Sequence, residues 1–174
     1  MKIVLPLMLA VMFSISFCEA HDGSVTITGT IQDNTCEVAP DSQNKKVEMG
    51  DYAREQFRQK GDSSAMKPFT INLDNCGPAA SGAKVTFSGT PDTTDNTLFA
   101  LETGVEEETA SGLALGIYEN NGQKISPNSS SSSVPLKPKQ ASVALDFTAR
   151  YVAVNDSVTV GSAQTTVTFS VLYD

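Results

Sequence analysis

Histidine is almost absent from this chain, and basic residues are scarce. One histidine, His21, stands among 174 residues, close to the N-terminus, where chains commonly fray. No serine sits in a nucleophile elbow and no histidine is placed to activate one, so triad chemistry has no members. Lys and Arg total 12 against 20 Asp and Glu, a formal net charge of −8. Without a basic patch to neutralise phosphates, nucleic acid is not an expected partner. The glycines are isolated and form no phosphate-binding fingerprint. Carboxylates are plentiful enough to supply a glycosidase-like pair by count. They gather, however, around residues 102–108 and at turns, where solvation accounts for them. The expectation is a protein with no catalytic residues, no cofactor and no metal.

Long apolar runs are lacking too, with one exception. Met1-Lys2 is followed by an apolar stretch from Ile3 to Phe17, then by Cys18-Glu19-Ala20. This reads as a secretory signal peptide over residues 1–20, cleaved after Ala20. The stretch is short of the roughly 20 residues that span a bilayer. Cleavage removes Lys2 and Glu19 together, so the net charge is unchanged, and it leaves enough chain for one domain with a core.

Cysteine is correspondingly rare: after cleavage only Cys36 and Cys76 remain. An oxidising compartment would pair them. Closing that loop of roughly 40 residues would contribute on the order of 4 kcal/mol through the unfolded state, in a model-dependent account. Two free thiols are the alternative. A zinc site is a weaker one, because no His or second cysteine pair stands near to complete a tetrahedron.

What the chain does have is strand alternation. Phe69, Ile71 and Leu73 alternate with Thr70, Asn72 and Asp74 up to Cys76, and Gly77-Pro78 ends the run. Val85 and Phe87 continue the pattern, and 92–97 reads as a polar loop. Leu98 to Leu101 reads as a short strand, and residues 102–111 as a solvated loop or a single helical turn. Leu113, Leu115 and Ile117 alternate with Ala114, Gly116 and Tyr118, the small residues implying a closely covered second face. Asn120-Asn121-Gly122 predicts a hairpin turn into 123–125. Five serines, Ser129 to Ser133, read as a flexible loop. Val143, Leu145, Phe147, Ala149 and Tyr151 share one face of a long strand. No segment shows a 3.6-residue period of helix length, so an all-β sandwich is expected.

Two end segments stand out. Val25, Ile27 and Ile31 alternate with polar residues, with Gly29 in phase on the apolar face. This is either the domain's own first strand or an extension that completes another molecule. At the other end Val167, Phe169, Val171 and Tyr173 form a period-2 apolar face reaching the penultimate residue. An apolar strand running so close to the carboxylate needs a partner along its length, from the same domain or from another polypeptide.

The order of these features resembles the pilins of the chaperone–usher class, the type 1 fimbrial family. The matching elements are a signal peptide, the extension Ser24 to Ile31, Cys36 a few residues later, Cys76, and a C-terminal β-motif with penultimate Tyr173. The likeness covers the chain beyond the signal peptide. Thr26-Ile27 through Asp33-Asn34-Thr35-Cys36 is most similar to a FimF-type minor subunit that joins a tip adhesin to the rod.

The resemblance implies an incomplete immunoglobulin-like sandwich lacking its final strand, which a chaperone or a neighbouring subunit supplies. It implies residues 21–33 as a donor-strand extension and 34–174 as the pilin domain. Val25, Ile27, Gly29 and Ile31 would form the donor strand. Val167, Phe169, Val171 and Tyr173 would edge the receiving groove, with the terminal carboxylate at Asp174 held by the chaperone. A Cys36–Cys76 disulfide would tie the first strand to the second. The implied partners are a periplasmic pilus chaperone, an outer-membrane usher and neighbouring pilin subunits. The implied destination is a fimbrium on the cell surface, reached through the periplasm. The expected function is a structural subunit polymerised by donor-strand exchange, as a minor or adaptor subunit near the tip. A major rod pilin, a terminating subunit and a stand-alone secreted immunoglobulin-like binding domain are the alternatives.

Overall fold

The computed structural model describes residues 25–103 and 108–174. The signal peptide expected over residues 1–20, the start of the extension and residues 104–107 of the acidic loop lie outside the described residues. The chain divides into two units, Met1–Ile31 and Gln32–Asp174. In the first, residues 25–31 form no helix or strand. Val25, Ile27 and Ile31 are 89%, 91% and 102% exposed.

The second unit is built of short strands. They are β1 (Glu37–Val38), β2 (Lys67–Asp74), β3 (Gly82–Ser88), β4 (Phe99–Ala100) and β5 (Leu113–Glu119). They continue with β6 (Lys124–Ile125), β7 (Ser129–Ser130), β8 (Val134–Pro135), β9 (Ser142–Ala153) and β10 (Thr168–Tyr173). Helix is limited, among the described residues, to one turn at Pro40–Gln43 and a 3-10 turn at Arg54–Gln56. One sheet runs β1-β2-β9-β5-β4, with β6 hairpinned onto β5. The other runs β10-β3-β7, with β8 also on β3. All named pairings are antiparallel.

Alternation explains the layers. Ile71 and Leu73 of β2, Val85 and Phe87 of β3, and Leu145 and Phe147 of β9 all point into one buried cluster. There Phe87 meets Phe147 edge-on at 5.0 Å and Phe69 at 6.2 Å. Burying each such side chain contributes about 1.5–3 kcal/mol before ordering costs. β5 is buried on both faces. Its Gly116 is crowded by the ring of Tyr118, where an added Cβ would come within 2.7 Å. The Arg150 guanidinium covers the same ring at 4.5 Å.

The serine run departs from its expected loop. Ser129 and Ser130 pair with Phe87 and Thr86. Ser131 is buried, its Oγ accepting the Val85 amide at 3.0 Å while its own amide donates to the Val85 carbonyl at 2.8 Å. A serine hydroxyl can stand in for a backbone acceptor, so a composition typical of loops still fits beside a strand.

The result is an immunoglobulin-like sandwich with a strand missing: β10 closes one end of its sheet order and, among the described residues, has only β3 beside it.

Candidate functional site

The missing strand leaves a groove of about 1010 Å³. Residues 43–50 form one wall, residues 163–169 the other, and Phe69, Ile71, Phe87, Leu115 and Ile117 line it between them. Residues 45–50 and 163–167 lie outside the named strands and helices, and neither stretch is paired on the groove side among the described residues. In the first, Val47 and Met49 are half-buried while Lys46 and Glu48 face solvent. No amide of residues 45–50 donates to a backbone carbonyl among the described residues.

The register of β10 sets what the second wall offers. Asp174 donates its amide to the Gly82 carbonyl at 3.0 Å, continuing the pairing that aligns Tyr173 with Ala83 and Thr168 with Ser88. In an antiparallel ladder alternate residues turn their N–H and C=O to opposite sides. Residues 168, 170, 172 and 174 therefore face β3. Val167, Phe169, Val171 and Tyr173 turn their backbone groups to the open edge, and their half-buried side chains pack against the core. The same four residues thus present apolar surface and free ladder positions.

The end of β10 is firmly tied. Tyr173 donates its hydroxyl to the Cys36 carbonyl at 2.8 Å. Cys36 is joined to Cys76 by a disulfide, and Glu37 and Val38 pair with Asp74 and Leu73. The Asp174 side chain receives Lys84 Nζ at 2.7 Å and Ser133 Oγ at 2.5 Å. The hydrogen bond from Lys84, then that from Ser133, holds this carboxyl below its usual range. A Cβ at residue 82 would lie 2.6 Å from the Asp174 carboxylate, so Gly82 makes room for it.

At the opposite end the groove reaches a second cavity of about 330 Å³, lined by Tyr52, Phe57, Leu113, Val158 and neighbours. Gly50, Tyr151 and Ala163 border both spaces. Tyr151 rises from β9 and donates its hydroxyl to the Ala163 carbonyl. Its ring meets Tyr52 edge-on at 6.1 Å. Burial, and then the neighbouring Tyr52, push the Tyr151 phenol above its usual value, which keeps it a donor.

Among the described residues, no group of three or more His, Cys, Asp or Glu is arranged to hold a metal. What the site can do is accept an extended peptide by strand addition. Sequence reasoning singled out the β10 wall but missed the wall at 43–50 and the Tyr52–Tyr151–Ala163 end. The alternation of Val47 and Met49 against Lys46 and Glu48 was the available signal for the first. Nothing local marks the second.

A family model described as Fimbrial protein matches residues 25–174. The chain belongs to the fimbrial protein family. This fimbrial chain is 37% identical to Long polar fimbria protein A of Salmonella typhimurium, over 95% of this chain and 92% of that one. It is 36% identical to the Probable major fimbrial subunit LpfA of Escherichia coli O157:H7, over 90% and 86%. The crystal structure of a Burkholderia pseudomallei antigen and type I fimbria protein superposes with a TM-score of 0.62 at 30% identity. That match covers 81% of the fimbrial chain and 90% of the other. The fimbrial chain is thus a non-catalytic structural component of the chaperone–usher class, exported through the periplasm to an extracellular fimbria. These matches do not separate a FimF-type adaptor from a rod subunit.

Proposed function

We propose that this chain is a rod-forming fimbrial subunit that gives one strand and receives another. The observation that carries the proposal is a matched pair. An exposed apolar alternation at Val25, Ile27 and Ile31 corresponds in length to the wall from Gly161 to Val167, which borders both compartments and belongs to no named strand. Each span covers six residue steps, roughly 20 Å of strand.

Register follows from the groove's two compartments. The strand of a second copy enters antiparallel to β10, like every pairing between the domain's named strands. Val25 and Ile27 then fill the larger compartment and Ile31 the smaller one. Gly29 crosses the bar made by Tyr151 and Ala163, where a side chain would collide. The order apolar, apolar, glycine, apolar suits one large space, a bar and one small space. Residues 1–20 act as the export signal, 21–33 as the donor extension and 34–174 as the receiving domain.

Before assembly the groove needs a cover, because an open apolar strand edge invites aggregation. A periplasmic chaperone strand supplies it, with the terminal carboxylate at Asp174 as an anchor, and the usher is where a neighbouring subunit's extension replaces it. The rod reading is supported by the similarity to a probable major subunit. The competing adaptor reading rests on the stretch from Thr26 to Cys36. Subunit counting in sheared fimbriae by mass spectrometry decides between them: a rod subunit dominates the mass, whereas an adaptor is present in a few copies. If the chain alone purified as a soluble monomer that bound neither chaperone nor a peptide of residues 23–33, the strand-exchange proposal would fall.

A further inference from the structure

The bar across the groove is an unusual feature for a binding cleft. Tyr151 stands on β9, inside one sheet, yet its hydroxyl reaches the carbonyl of Ala163 on the lead-in to β10, at the other wall. The groove-facing parity of residues 163 and 167 is the same. Even-numbered neighbours turn the other way: the Gln164 carbonyl accepts the Glu102 amide at 2.8 Å, and the Thr166 amide donates to Glu102 Oε1 at 2.8 Å. The Ala163 carbonyl therefore lies on the open edge, where an added strand would find its first rung. A carbonyl has two lone pairs, so it accepts the phenol and still has capacity for an incoming amide.

The surroundings make this contact a brace for the smaller compartment. Tyr52 and Phe57 pack edge-on at 6.4 Å, and Tyr52 abuts Tyr151 at 6.1 Å, so the ring of Tyr151 is held in place. The Tyr52 hydroxyl is buried without a hydrogen-bond partner among the described residues; its ring, rather than its oxygen, is what the site uses. On the far side, residues 158–163 are pinned to 108–112. The Ala110 amide donates to Ser162 and the Thr159 amide to Ser111. Two anchored strips are thus joined at one point, Tyr151 to Ala163.

We infer that the Tyr151 hydroxyl, clasping the Ala163 carbonyl, is a positioning group that keeps the smaller compartment open to the last plug of an incoming strand. The inference rests on the strand-accepting reading of the groove. It assigns Tyr151 a selective role: it matters to a donor that carries Ile31 and is indifferent to one that does not.

The test is a double-mutant cycle. The full exported chain, as wild type and as Tyr151→Phe, is refolded in dilute solution. Each form is titrated with a labelled peptide of residues 23–33 and with the same peptide carrying Ile31→Ala. Phenylalanine keeps the ring and the bar but removes the clasp. The expected result is a loss of about 3–10-fold in affinity of Y151F for the native peptide, the scale of one hydrogen bond. For the Ile31→Ala peptide the change is under about 2-fold on the same scale. Equal loss for both peptides would make Tyr151 a general structural residue and overturn the inference. So would no loss for either, or failure of Y151F to fold with the wild-type circular dichroism spectrum. Failure of the wild-type chain to bind either peptide would overturn the strand-accepting reading itself, and the clasp with it.

Discussion

The two ends of this chain carry the same pattern and meet opposite fates. Val25, Ile27 and Ile31 alternate with polar residues and are almost wholly exposed. Val167, Phe169, Val171 and Tyr173 alternate in the same way and are half-buried against a shared core. The difference lies in partners. Among the described residues, the C-terminal segment has β3 on one side and a bare edge on the other. Period-2 alternation prepares a segment to be a strand; only pairing decides whether it becomes one, and on which side it stays open.

The comparison breaks most completely through paired charge substitutions. Ile27→Asp puts a charge where a donor side chain must be buried and should lower fibre assembly by about 100-fold or more. Acceptance of a donor peptide should be untouched. Val167→Asp, on the groove wall, should do the reverse. Mixed together, the two variants should stop at a one-to-one pair, visible by size-exclusion chromatography, because V167D can give to I27D but not receive. Fibres of normal length from either variant would refute the division into giving and receiving ends.

The next effect concerns the boundary between the ends. Replacing Cys36 and Cys76 by serine removes the link that holds β1 beside β2 while the groove is empty. Stability should fall by about 2–5 kcal/mol, measured by denaturant unfolding with and without donor peptide. Gly29→Val sharpens the comparison within the donor itself. A side chain facing the Tyr151–Ala163 bar should weaken donation by about 10–100-fold, the usual scale of overpacking. Equal affinities of the native peptide and its Gly29→Val variant would place the glycine elsewhere in the groove.

The smallest effect is at Asp174. Its carboxyl is depressed in the folded chain, so its stabilising contribution is complete above the unfolded value of about 3.9 and fades as pH falls through the lower, folded value. The exposed pair with Lys84 is screened by solvent. Hydrogen exchange at the end of β10 should therefore quicken only slightly below about pH 4. Lys84→Met should flatten that dependence, and an unchanged acid response in K84M would assign it to another group.

Much of the fold was legible from neighbouring residues. The alternation in 69–74, 85–87, 113–118 and 143–151 became β2, β3, β5 and β9, and Asn120-Asn121-Gly122 became the β5–β6 hairpin with Gly122 at φ +85°. The serine run was not legible, because β7 exists only through Phe87 and Thr86, and Thr86 is 44 positions from Ser130 in sequence. The groove was half legible. Its β10 wall announces itself by apolar alternation, whereas the wall at 45–50 is short and mixes Lys46 and Glu48 with Val47 and Met49.

By itself, the order of residues pointed to an exported, all-β chain with one pair of cysteines and two strand-competent ends. Those properties depend on local periodicity, on composition and on a cysteine pair, which read the same in any environment. Tertiary structure alone decided that β10 is left at an edge and that residues 43–50 stand opposite it. It also decided that Tyr151 and Ala163 divide the space between them. Those facts depend on the register between distant strands, where a slip of one residue would turn every side chain to the other face and close or move the groove.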